Sequence, residues 1–362
     1  MTYRVNTLSY CQVVKSLHGA YMQPLLPQLA PANLIDAEGR ALYGQFDGIP
    51  ESLGVKQFVY FDEMDKRASW LKKHFDYKQF QFVSIITPRY IIGVAIAGIR
   101  YVGSSFCYLY DVEKNQLTEI KSLKPLSMGY KMAPSPKSGS TNITFSKNCI
   151  EFTIHDGQWQ LSIDSADIQA KLSLTPHALS MPMSMCTPTG YSGWTYTQKH
   201  NALSVHGKLI IKDEPQPLQL ALASYDFSAG FMRRETSWRW ASINAQLPQG
   251  TLGLNLAAGV NETGNSENVM WINGERHFLG PANFEFNRRI SPDYWKINTL
   301  DGRVNLTFRA LNCRKEKINL GFLKSNFRQN IGYFNGDIID ANGVRYHLSN
   351  HLGLTEDHFA KW

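Results

Sequence analysis

Between Tyr225 and Ser242 the chain reads YDFSAGFMRRETSWRWAS, which gathers a carboxylate, two adjacent arginines, a glutamate and two tryptophans in eighteen residues. Each type brings a definite chemistry. A carboxyl group walled by indoles loses the water that stabilises its charged form, so its pKa rises and it can act as a general acid. An arginine within reach instead holds the group ionised, as a base or as a structural ion pair. Indole faces favour a neighbouring cation. Read as strand, turn at Gly230 and strand, the period of two puts Asp226 and Ser228 on one face and Tyr225 and Phe227 on the other. Trp238 and Trp240 likewise share a face, opposite Arg239 and Ala241. Asp226 is thus the candidate acid, with Ser228, Arg234, Trp238 and Trp240 as candidate ligand contacts.

Three neighbouring segments extend the set. GWTYTQKHN supplies Tyr196 and Lys199, and NSENVMWING supplies Glu267 and Asn268 just before an apolar strand. In GLNLAAGV, Asn255 falls on the face opposite Leu254 and Leu256. A polar side chain buried in an apolar strand needs a partner, so Asn255 reads as a hydrogen-bond anchor more than a catalyst.

The elements that must position these residues are strands. Six Asn-Gly or Asp-Gly pairs punctuate the chain, at residues 47, 156, 273, 301, 335 and 342. Such pairs tolerate positive φ and favour the tight turns of hairpins. CIEFTIHDGQWQLSID, MWINGERHFL, WKINTLDGRVNLTF and IIDANGVRYHL each read as strand, turn, strand. In one of them Val304, Leu306 and Phe308 alternate with Asn305, Thr307 and Arg309. Many short strands with frequent turns predict an all-β sandwich or barrel. Helical pattern is confined to FDEMDKRASWLKKHFDY, with Met64, Ala68 and Leu71 at helical spacing, and to a turn or two near Ser16–Leu29. Residues 122–142 read as a long loop, and the Pro- and Ser-rich residues 174–193 as a linker. The expected domains are therefore 1–185, an N-terminal barrel with an extension, and 186–362, a C-terminal barrel carrying the candidate pocket.

Bulk properties narrow the function. The chain has 362 residues and a net charge of +7, but its basic residues are scattered in pairs rather than gathered in a stripe, which argues against nucleic acid as a partner. Five cysteines at wide spacings, with no C-x-x-C, argue against a disulfide framework and point to a reducing, cytoplasmic setting. The longest apolar stretch, YIIGVAIAGI, is too short for a spanning helix, so no stable membrane insertion is expected. No metal site is expected. His347 and His351 lie in strand-like sequence with no third ligand nearby. Serine-hydrolase, P-loop and dinucleotide fingerprints are absent, and no cofactor is expected. The EDH run at Glu356–His358 is too generic to use.

Several of these segments in order, TPTGYSGWTYTQKHNALSVHGKL, YDFSAGFMRRETSWRWAS, GLNLAAGV, ENVMWINGERHFL and GLTEDHFAKW, resemble the bacterial DUF2804 family, whose activity is undefined. A more distant resemblance is to the lipocalin-like superfamily of carotenoid 1,2-hydratases and AttH-type proteins. That resemblance implies two lipocalin-like antiparallel β-barrels side by side. It also implies an acid in an aromatic-lined cavity that protonates an alkene, a place Asp226 and the W-x-W pair would take. The hydratases' D-H-x-W-G string is missing here; DFSAG stands in its place. Two functions follow as expectations. The chain binds an apolar small molecule (a lipid, isoprenoid or polyketide-like ligand) in or between barrels, or it is a cofactor-independent hydratase, isomerase or cyclase with Asp226 as acid. A scaffold whose barrels are filled by their own side chains is the blander reading. The oligomeric state is left open.

Overall fold

The computed structural model describes residues 27–126, 128–260, 265–321 and 323–362. The chain forms two large, curled, antiparallel sheets that make two barrel-like domains. One sheet contains every strand from Gln28–Leu29 to Leu222–Gly230, and the other every strand from Glu235–Leu247 to Arg345–Lys361. Most turn signals act as expected. Asp156-Gly157 and Asn273-Gly274 both take positive φ at both residues and close two-residue hairpins. Asn335-Gly336 does not turn the chain. It lies inside the strand Lys324–Ile339, where the register slips between Phe334 and Gly336. A Cβ on Gly336 would sit 2.2 Å from the Asn305 carbonyl oxygen, so here glycine permits a bulge, not a hairpin.

The first sheet curls until its far strands meet. Tyr130, on the edge strand Tyr130–Lys131, packs against Gly98 and Gly103. Val83, Ile85, Trp159, Tyr225 and Phe227 fill its interior. The second sheet encloses Ile243, Leu254, Trp295, Phe308 and Phe334. The alternation read at Val304, Leu306 and Phe308 points all three into that core.

Three expectations need correction. The division between sheets falls at Phe231–Arg234, not at residue 185. The supposed linker contains the strand Met183–Thr189, which pairs with Gly193–Ile211 and with Gly44–Asp47. Its Pro and Ser content conceals two fully buried methionines, Met183 and Met185. Similarly, the two ends of 122–142 belong to strands, one ending at Pro125 and one beginning at Gly139, with the short strand Tyr130–Lys131 between them. Finally, the helix is only Trp70–Asp76, capped by the Ser69 side chain, because Asp62 accepts the Met64 and Lys66 amides and fixes a turn there instead. The expected turns near Ser16–Leu29 lie outside the described residues, except that Gln28–Leu29 is a strand.

The sheets dock through their outer faces. Phe82, Ile91, Tyr108 and Tyr110 of the first meet Trp240, Ile331 and Leu354 of the second in one apolar cluster. A bulge locks them. Where Gly193–Ile211 slips register between His200 and Leu203, the Asn201 side chain donates to Ser242 Oγ at 2.8 Å and to the Leu254 carbonyl at 3.0 Å. The Ala202 amide donates in the same direction, to Asn244 Oδ1 at 2.7 Å. Asn201→Ala strands these buried acceptors, so urea unfolding should show a loss of about 1–3 kcal/mol.

Candidate functional site at the seam between the sheets

The strand Leu222–Gly230 pairs with Lys78–Ile86 on one side and Gly193–Ile211 on the other, not with Glu235–Leu247. Tyr225 and Phe227 therefore point into the first barrel, and Asp226 and Ser228 point out of it, towards the second. On Glu235–Leu247, Ala241 and Ile243 face the second core while Trp238 and Trp240 pack with the seam cluster. The acid and the indoles thus meet across a domain seam rather than across a hairpin.

Lys199 is the hub. Its ammonium lies 2.6 Å from Asp226 Oδ2 and 3.1 Å from Glu267 Oε2. It also lies 5.8 Å from the Trp240 ring centroid. Burial opposes its charge, but Asp226 and Glu267 outweigh that and raise its pKa. Ser228 donates to Asp226 Oδ1 at 2.9 Å, and Thr197 Oγ1 lies 3.0 Å from Ser228 Oγ. Trp240 Nε1 donates to Asn255 Oδ1 at 2.7 Å, while Asn255 Nδ2 donates to the Glu267 carbonyl at 2.8 Å. Asn255 is thus an anchor, as expected, fixing both the indole and the segment that carries Glu267.

A third carboxyl group, after Asp226 and Glu267, completes the seam. Glu356 accepts from Trp238 Nε1 at 3.1 Å and from Gln329 Nε2 at 2.6 Å. Burial pushes its pKa up, and these two hydrogen bonds offset only part of that. His358 packs against Trp238 with ring centroids 4.1 Å apart and planes tilted by 57°, and burial drives its imidazole pKa down to about 3, so it stays neutral. Nearby, the fully buried Tyr108 hydroxyl has no hydrogen-bond partner.

Three expected site residues are elsewhere. Tyr196 lies inside the first barrel, bonded to Ser184 and Gln198. Arg234 is exposed on the crossover between sheets, and Lys199 takes the place of the arginine expected beside Asp226. Asn268 clamps backbone, accepting from the Ala257 amide and donating to the Gly280 carbonyl. Conversely, sequence reasoning passed over Glu356, Gln329, His358 and Tyr108. Period-two alternation does put Glu356 and His358 on the face of Leu354, but nothing local says that this face meets another domain.

No group of three or more potential metal ligands occurs among the described residues, and His347 bonds Asp337. No described helix is long and apolar enough to cross a membrane.

A family model for a domain of unknown function, DUF2804, matches residues 38–362. The chain belongs to the DUF2804 family. Among solved structures, this DUF2804 chain is similar to one assigned to AttH from Nitrosomonas europaea, with 14% identity over 78% of this chain and 91% of that one, and a TM-score of 0.46. It is also similar to kievitone hydratase from Nectria haematococca, with 11% identity over 79% of this chain and 88% of that one, and a TM-score of 0.48. No curated protein matches it.

Proposed function

We propose that this DUF2804 chain binds a small, largely apolar molecule in a crevice between its two sheets, with the molecule's polar end against Lys199, Asp226 and Ser228. One observation carries the reading: the seam is polar and charged at its centre, yet Asp226, Ser228, Trp238 and Glu356 each keep partial solvent access. A purely structural ion cluster gains nothing from such access, whereas a ligand needs it. Phe82, Phe106, Trp238 and Trp240 supply apolar walls, at about 25 cal/mol per Å² of surface covered. The second barrel's interior is occupied by its own aromatic side chains, which favours the seam over that barrel. The thiols of Cys107, Cys149, Cys186 and Cys313 are free, which supports a cytoplasmic setting.

Ser228→Trp fills the seam from a part-exposed position without removing a charge. In titrations with a panel of fatty acids and isoprenoid alcohols, it should weaken binding by about 10-fold or more while the far-UV spectrum is unchanged. Equal affinities in both proteins would place the ligand elsewhere.

A second reading is favoured by Glu356. A carboxyl group whose pKa burial raises, beside an ion-paired one, is the arrangement that separates an acid from a base. Asp226 is already engaged by the Lys199 ammonium and the Ser228 hydroxyl. Glu356 is better placed to protonate an alkene carbon. Water would add to the resulting cation and return its proton to a carboxylate, and no cofactor is required. In this reading Asp226 orients the water or receives the proton.

A further inference from the structure

Where the chain crosses from one sheet to the other there is a groove of about 400 Å³. Phe231 to Arg234 form its floor with Trp362, whose amide and indole N–H groups donate to the carbonyls of Arg234 and Arg233 at 3.0 Å. Lys78 comes from the first sheet, Tyr101 from the turn between the strands Tyr90–Gly98 and Val102–Asp111, and Lys72 and Asp76 from the helix Trp70–Asp76.

The charges do not balance. Lys72, Lys78 and Arg234 line the groove with two carboxylates, Glu63 and Asp76. Asp76 is already engaged, 3.0 Å from the Lys72 ammonium and accepting from Tyr60 Oη at 3.0 Å. Glu63 is exposed at the rim. Lys78 is the informative residue. It is only 5% exposed, and its ammonium donates to the Phe75 carbonyl and lies 5.2 Å from the Tyr101 ring centroid, with no carboxylate in ion-pair contact among the described residues. An ammonium has three donors, and a buried one without a counter-ion is costly. Arg234 is exposed and likewise makes no ion pair among the described residues.

We propose that this groove is a second binding site, for a small organic anion whose carboxylate or phosphate head sits between Lys78 and Arg234 and whose flat apolar body lies against Tyr60, Tyr101 and Trp362. Burial, with Arg100 adding repulsion, pushes the Lys78 ammonium down to about 8, even though Asp76 nearby works the other way, and a bound anion would reverse that. The site is distinct from the seam. Lys78 pairs with Gly230 and Phe82 with Asp226 on the same two strands, so the two sites are four residues apart, roughly 13 Å.

The test is calorimetric titration of the full chain with benzoate, phenyl phosphate and, as the neutral control, benzamide. The expected result is that at least one of the two anions binds and benzamide does not, with Lys78→Met and Arg234→Ser each weakening that binding by about 10-fold. A preference for benzoate or for phenyl phosphate identifies the head group. Arg234 is exposed, so its replacement reports on binding even if Lys78→Met fails to fold. Equal binding of benzamide, no binding of either anion, or anion binding indifferent to Arg234→Ser overturns the proposal.

Discussion

Lys199→Met is expected to destabilise the protein by about 3–5 kcal/mol, among the largest effects of any single substitution in the chain. The ammonium is nearly buried, its side chain 7% exposed, and it stands between the Asp226 and Glu267 carboxylates, whose side chains are 15% and 4% exposed. Methionine keeps the length and apolar stem but leaves two largely buried acids, of which only Asp226 keeps some water, without their shared cation. Much of the loss is the penalty on the stranded acids, so Asp226→Asn in the Lys199→Met background should recover part of it. Urea unfolding of the wild type, both single variants and the double variant gives the coupling directly. A loss below about 1 kcal/mol for Lys199→Met would mean that water reaches the cluster far more freely than its burial implies.

Glu356→Gln is the second large effect, and its sign separates chemistry from structure. Burial raises the Glu356 pKa above its ordinary 4.5. The folded state therefore holds a proton that the unfolded state has released at the same pH. Its contribution to stability is fully present below about pH 4.5 and is lost as the pH rises through the folded value. Glutamine is neutral throughout and keeps an amide oxygen as acceptor. The stability of Glu356→Gln relative to wild type should thus improve as the pH rises above about 4.5 and level off once the folded Glu356 has ionised, measured by urea unfolding at each pH. A difference independent of pH would show that Glu356 is ionised across the whole range. If the acid reading is right, the same substitution also lowers turnover of an alkene substrate by about 10²–10⁴-fold, while binding of that substrate is retained.

Local physics made much of this legible in the sequence. Period-two alternation separated Asp226 from Phe227 and Trp240 from Ala241, and the structure keeps those facings. Asp-Gly and Asn-Gly pairs marked hairpins because positive φ at two successive residues is a local requirement. What failed was whatever depended on distant partners. Met183–Thr189 resembles a linker until Gly193–Ile211 and Gly44–Asp47 flank it. The segment around Gly230 resembles a hairpin because nothing nearby reveals that its two strands join different sheets. A nearby arginine, Arg233 or Arg234, was one candidate partner for Asp226, yet Lys199 takes that place from a neighbouring strand. Glu356 escaped notice because its importance comes from Trp238 and Gln329, each far from it in sequence.

The central claim is that the seam holds a small, largely apolar molecule. Native mass spectrometry of the purified wild-type protein and of Ser228→Trp, each followed by organic extraction and analysis of what is released, tests it most directly. The account predicts an adduct at one per chain on the wild type, released as an apolar compound with one polar end, and absent from Ser228→Trp. A wild-type protein that carries nothing and takes up no member of a fatty-acid and isoprenoid panel, or an adduct that survives Ser228→Trp unchanged, would contradict it.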